Sequence, residues 1–120
     1  MNEISKLLQF LDQRKVEDLA LLDMRTTSPI MDYMVIGTLS NSRLLDATAQ
    51  YLKQYLDENN KSYYPISKAG ESGWLLVDAK DVVIHLFLQE QRSLYNLEKL
   101  WSDCLVNIED LVYDDGLLES

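Results

Sequence analysis

The chain has 120 residues, the size of one domain and too short to divide into two well-filled cores. Hydrophobic residues make up 47% and charged residues 26%, which suffices to fill a core and excludes a disordered or collagen-like chain. The formal charge of −9 leaves no basic footprint for a phosphate backbone, so direct sequence-specific contact with nucleic acid is not expected, whereas a basic protein partner would be attracted.

The acidity is unevenly placed. Asp103, Glu109, Asp110, Asp114, Asp115 and Glu119 are accompanied by no Lys or Arg; taking these six from the 20 acidic residues leaves 14 against 11 basic ones, a formal charge of −3 for the rest. We therefore divide the chain into a domain over 1–103 and an acidic tail over 104–120. Cys104 stands alone, so no internal disulfide and no Cys-based metal site is expected, which points to a reducing compartment. Met1 to Lys6 do not open a secretory leader, and no apolar run approaches the ~20 residues that span a bilayer. A cytoplasmic protein without membrane contact is the expectation.

In chain order, Ile4, Leu7, Leu8 and Leu11 lie on one helical stripe. Leu19 to Met24 form a compact apolar run that predicts a buried strand, broken by Ser28-Pro29. Tyr33 to Thr38, β-branched and aromatic, predict a second strand. Ser40 or Asn41 caps the longest helix, whose stripe is Leu45, Ala49, Leu52 and Leu56 and which ends around Glu58-Asn59-Asn60. Tyr63-Tyr64-Pro65-Ile66 reads as a short extended segment at an edge or strand end, because Pro65 has no N–H to give.

A loop over Lys68 to Gly73 leads into a strand over Trp74 to Asp78. Ala79-Lys80-Asp81 is a tight connection, and Val82 to Leu88 return as the second arm of a hairpin. Gln89 to Ser93 predict a helical turn, and Asn96 is placed to cap Leu97 to Trp101. Past Asp103, the spacing of Ile108, Leu111 and Val112 permits a short amphipathic helix that needs a surface to pack on. Helices interspersed with about five strands give an α/β single domain with a mixed β-sheet.

No local pattern carries catalysis: there is no phosphate-binding glycine loop, no zinc-binding histidine pair and no nucleophile elbow. His85, the only histidine, alternates with Val83 and Phe87 inside an apolar strand and reads either as a core histidine or as a polar contact to a partner. Asp78 and Asp81 flank a turn, where aspartates commonly accept hydrogen bonds from their own backbone; metal-binding carboxylates on one strand face would need i, i+2 spacing. Trp74 and Trp101 each read as core or as interface anchor, with core the commoner role for a tryptophan in an arbitrary domain. Tyr33, Tyr95 and Trp101 together favour a protein-binding module, since these residue types dominate interface hot spots.

Four ordered blocks then carry a resemblance. Asp32-Tyr33-Met34-Val35-Ile36 with Ser40-Asn41-Ser42-Arg43, Glu71-Ser72-Gly73-Trp74-Leu75-Leu76-Val77-Asp78, Asp81-Val82-Val83-Ile84-His85, and the stretch from Arg92 through Tyr95, Leu97, Glu98 and Trp101 to Asp103 resemble the ribosome-silencing family known as RsfS or Iojap. The similarity spans roughly residues 3–103. It departs from the family pattern at Thr26 to Met31, where relatives often carry small residues, and in the loop Ser67 to Glu71.

The resemblance implies a fold related to nucleotidyltransferases but without their catalytic signature, and Asp78 is indeed followed two positions on by Lys80, which reverses the sign a metal ligand needs. It further implies a non-enzymatic translation repressor without cofactor or metal, which binds the large ribosomal subunit through its ribosomal protein fourteen and keeps the small subunit from joining. By that analogy Tyr33, Arg43, Glu71, Trp74, Asp78, His85, Tyr95, Leu97, Glu98 and Trp101 are the expected region of the docking surface, with Asp32 and Arg43 open to pairing internally. A nucleotidyltransferase-like metal-dependent enzyme is the alternative, and a homodimer formed off the ribosome through the same surface is the third reading.

Overall fold

The computed structural model describes residues 2–66, 69 and 72–108. Glu71 and residues 109–120, and with them the helix expected around Leu111 and Val112, lie outside the described residues.

Helix α1 (Asn2–Gln13) buries Ile4, Leu7, Leu8 and Leu11, the stripe that its spacing predicts. Lys15 in the left-handed region turns the chain into strand β1 (Glu17–Asp23), which opens with a register shift between Glu17 and Ala20, where Asp18 also has positive φ. Strand β2 (Tyr33–Thr38) is buried at every position. Asn41 then caps helix α2 (Ser42–Glu58), its side-chain oxygen accepting from the Leu44 N–H at 2.9 Å. The helix ends at Asn59, and Asn60 follows with φ 57°.

Strands β3 (Trp74–Asp78) and β4 (Val82–Phe87) form the expected antiparallel hairpin. Helices α3 (Gln89–Tyr95) and α4 (Leu97–Leu100), a 3-10 turn over Ser102–Cys104 and the two-residue strand β5 (Leu105–Val106) complete the described chain.

The sheet runs in the order β3-β4-β2-β1-β5. β2 and β4 pair in parallel, from Tyr33 opposite Val82 to Thr38 opposite Phe87, while the other pairs are antiparallel. A parallel pair cannot be closed by a tight turn, and α2 lies within the crossover that joins β2 to β4. The mixed α/β domain is therefore as expected, but its fifth strand is not Tyr63–Ile66. That segment forms no strand, giving only the Tyr64 N–H to the Asp78 carbonyl, because Pro65 interrupts any ladder; pairing continues instead at Leu105–Val106 against Leu21 and Leu22. Asn96 likewise makes no side-chain cap on α4. It occupies the left-handed region at φ 44° and serves as the hinge between α3 and α4.

Alternation along the strands sorts the core into two faces. On the helical face Leu21, Tyr33, Val35, Leu75, Val77, Ile84 and Leu86 pack with the stripes of α1 and α2. On the opposite face Leu22, Met24, Met34, Ile36 and Phe87 form a second cluster, against which, among the described residues, Ala20 and Trp74 of the strands and Met31, Leu97, Trp101 and Cys104 of the loops and C-terminal segment pack.

Gly37 is required by close approach. A Cβ there would lie 2.4 Å from Val16 Cγ1 and 3.0 Å from Leu86 Cδ2, and Val16, β-branched and buried, has little rotamer freedom to yield. We predict that Gly37→Ala lowers unfolding free energy by about 1–3 kcal/mol, read as a lower urea midpoint with unchanged slope.

Candidate functional site: the thinly covered sheet face

β3 is an edge strand whose residues alternate in burial: Leu75 and Val77 go to the helical face, while Trp74, Leu76 and Asp78 go to the other. The Cα register places Trp74 opposite Phe87 and Leu76 opposite His85, so these side chains share one surface. Tyr95, from the end of α3, joins them. Its ring centroid lies 4.6 Å from that of Trp74 and 6.2 Å from that of Phe87, and the Trp74 and Phe87 centroids are 5.0 Å apart. These are separations at which aromatic pairs attract beyond their buried area.

His85 is buried, and its Nδ1 accepts the indole N–H of Trp74 at 3.1 Å. An accepting Nδ1 puts the ring proton on Nε2 and requires a neutral ring. Burial pushes the His85 pKa down to about 4, opposed by the negative charge of Asp78, so the acceptor state persists at neutral pH. The histidine is thus a fixed polar strut that orients Trp74.

Arg92 fastens the C-terminal segment to the sheet. Its Nε and one Nη bond both oxygens of Glu98 at 2.9 and 3.0 Å, and its other Nη donates to Thr38 Oγ1 at 2.8 Å. Neither α3 nor α4 has a buried residue, so this bidentate clamp between α3, α4 and the end of β2 is a principal tie for both short helices. Gly73 assists from below: with φ 70° it adopts a conformation that favours glycine, its carbonyl accepts the Leu88 N–H, and a Cβ would run into the Gln91 side chain.

The residues expected at the site divide accordingly. Trp74, His85 and Tyr95 come together, and Leu97 and Trp101 pack on the same sheet face against the cluster that includes Met34 and Phe87. Glu98 is engaged by Arg92. Asp78 lies further along the same strand face, its Oδ1 accepting the Lys80 N–H at 2.9 Å in the turn role its position suggests. Tyr33 belongs to the opposite, helical face and is buried there, beneath the Arg25 guanidinium. Arg43 is exposed in the first turn of α2, and none of the described ion pairs joins it to Asp32. They stand past opposite ends of β2, about 20 Å of strand apart.

Sequence reasoning missed the exposed leucines. Leu76 is 48% exposed beside His85, Tyr95 is 50% exposed, and Leu94 and Leu100 of the short helices reach 76% and 69%. Within the uniformly apolar Trp74-Leu75-Leu76-Val77 no alternation marks which leucine faces out. Arg92 was missed as a clamp because its partners are set by the turn at Asn96. Among the described residues no three His, Cys, Asp or Glu side chains converge as metal ligands, and no helix is long and apolar enough to cross a membrane.

The family model described as "Ribosomal silencing factor during starvation" matches residues 1–117. The ribosomal silencing factor RsfS of Bacillus subtilis is 39% identical over 92 residues, 77% of this chain and 78% of that protein. A mouse protein named "Mitochondrial assembly of ribosomal large subunit protein 1" is 36% identical over 103 residues, covering 83% of this chain and 45% of its own. A crystal structure of a Chromobacterium violaceum protein superposes with a TM-score of 0.77 at 31% identity, over 84% of this chain and 85% of that one.

Two outcomes follow from the geometry. Between pH 6.5 and about 4 the unfolded chain takes up a proton on His85 that the folded chain refuses, so this group's stabilisation is complete above pH 6.5, declines as pH falls and levels off below 4. In urea titrations the parent protein should lose about 2 kcal/mol more than His85→Gln between pH 7 and pH 5. Glu98→Ala leaves the Arg92 guanidinium, whose side chain is 11% exposed, with Thr38 Oγ1 as its remaining side-chain partner among the described residues. It should cost about 1–3 kcal/mol, measured by thermal or urea unfolding.

Proposed function

This chain belongs to the ribosomal silencing factor family, and on that footing we propose that it docks on the large ribosomal subunit through ribosomal protein fourteen and represses translation by keeping the small subunit away. The docking face in this reading is the thinly covered side of the sheet. The observation that carries it is the exposure of Leu76 on β3 and of Leu94, Tyr95 and Leu100 on the two short helices, with the Tyr95 ring against the braced Trp74. A rigid aromatic with its polar atom already satisfied loses little entropy on docking, and leucines that water already touches gain by being covered.

Charge supports the same partner class. The chain is acidic, and ribosomal proteins are commonly basic, so complementarity raises the association rate while the apolar patch sets the lifetime of the complex. Exclusion of the small subunit then requires only volume, and no residue has to perform chemistry. The enzyme alternative finds little support: Asp78 is occupied as a turn acceptor, Lys80 follows it, and the one histidine is held neutral and buried. The patch also fits a second copy of the chain, in which case self-association competes with docking and appears as a concentration-dependent sedimentation coefficient. Action in the cytoplasm, where ribosomes assemble, belongs to the same proposal.

The test is sedimentation of purified chain with isolated large subunits, together with light scattering of subunit joining. The parent protein should travel with the large subunit and suppress joining. Leu76→Glu, a change at an exposed position that leaves circular dichroism unaltered, should weaken docking about tenfold or more. Unhindered joining in the presence of excess parent protein would overturn the proposal.

A further inference from the structure

On the helical side of the domain, remote from the patch above, a cavity of about 210 Å³ opens between α1, the end of α2 and the β3–β4 turn. Its floor is aliphatic: Ile4 and Leu7 from α1, Leu56 from α2, and Val82 and Ile84 from β4. Its mouth is charged. Lys61, which lines it with Glu3, bridges to Glu3 at 2.7 Å and ties α1 to the segment that follows α2. Lys6 and Asp81 also line the cavity, and among the described residues neither takes part in an ion pair.

The frame around these two charges is stiff. The Asp81 carbonyl accepts the N–H groups of both Asp32 and Tyr33, Ala79 donates to Val82, and Asp78 closes the turn on Lys80. On the other wall Tyr55 is held by its ring contact with Phe10, with centroids 4.4 Å apart. An apolar floor lined also by one ammonium and one carboxylate that make no ion pair among the described residues has the chemistry of a site for a compact zwitterion. The volume lies below the ~300–1,000 Å³ of drug-sized pockets, which limits the occupant to a small metabolite.

We propose that this cavity binds a free amino acid with an aliphatic side chain. The side chain lies on the floor of Ile4, Leu7, Leu56, Val82 and Ile84; the α-carboxylate meets Lys6 and the α-ammonium meets Asp81. Both charges are needed, since a buried aliphatic body carrying one unmatched charge forfeits half of the rim. The site lies on the opposite face of the sheet from the docking patch, so occupancy and ribosome docking are separate measurements.

The experiment is titration of the purified full chain with L-leucine, followed by calorimetry and by amide chemical shifts. Controls are L-leucine amide, which lacks the carboxylate and stands in for a peptide N-terminus; 4-methylpentanoate, which lacks the ammonium; and glycine, which lacks the aliphatic body. Saturable millimolar or tighter binding of leucine is expected, weakened about tenfold or more by each control change, with shifts confined to α1, the end of α2 and the β3–β4 turn. Lys6→Gln and Asp81→Asn, both at exposed positions, should each weaken binding similarly, and Ala79→Leu, which fills the cavity from the turn, should abolish it. Absence of saturation for leucine, equal binding of glycine or of either singly charged control, or retention in Ala79→Leu with unchanged circular dichroism would overturn the proposal.

Discussion

The central parallel pair of β2 and β4 is the constraint on which the rest of this structure depends. β2 is buried at every position, and a strand of that kind has to be hidden on both faces. One face receives two full helices, α1 and α2, whose aliphatic stripes complete a continuous core. Among the described residues the other receives two short helices and a 3-10 turn, with the side chains of Trp101, Leu97 and Cys104. That asymmetry leaves the β3 edge thinly covered and places Leu76, Tyr95 and the outer leucines at the surface. The candidate docking face is thus a consequence of how this sheet is buried, and needs no added element.

A cover this small has to be held by polar contacts, because its helices have no buried stripe to supply hydrophobic free energy. Arg92 does this through its forked bonds to Glu98 and its reach to Thr38, which joins α3 and α4 to the end of the central strand. Trp74 and His85 form the second fixture. The indole N–H finds an acceptor in a neutral imidazole, so a large aromatic can sit partly exposed without an unsatisfied donor and without rotamer freedom. Rigid aromatics and partly exposed leucines are what a protein partner can cover at little entropic cost, which is why the same contacts that stabilise the cover also shape the proposed interface.

Much of the architecture was legible in the residues. The stripe of α1, the stripe of α2 with its Asn41 cap, the hairpin of β3 and β4 and the turn role of Asp78 follow from spacing and from local hydrogen bonding, both of which act over a few residues. The misreadings share a physical cause. Tyr63 to Ile66 have the composition of a strand but Pro65 interrupts the ladder, whereas Leu105 and Val106, unremarkable locally, find an open edge on β1. Asn96 has the composition of a cap, yet the chain needs a left-handed residue there to bring Glu98 to Arg92. Tyr33 and Tyr95 look equivalent as anchors, and only the alternation of β2 sends one into the helical core while the end of α3 leaves the other half exposed.

The sequence by itself determined the two long helices, the four longer strands, the α/β class and the family resemblance, because periodicity, caps and turns are encoded by near neighbours in the chain. Tertiary structure alone decided which face of the sheet stays thinly covered, which leucine of β3 meets water, which nitrogen of His85 accepts a hydrogen bond, and which charge answers Arg92. Those properties depend on groups brought together across the sheet: Trp74 with His85 from the neighbouring strand, and Thr38 with Arg92 from 54 residues away. A linear pattern holds no distance between such groups, and the energies that select their contacts exist only once the sheet has formed.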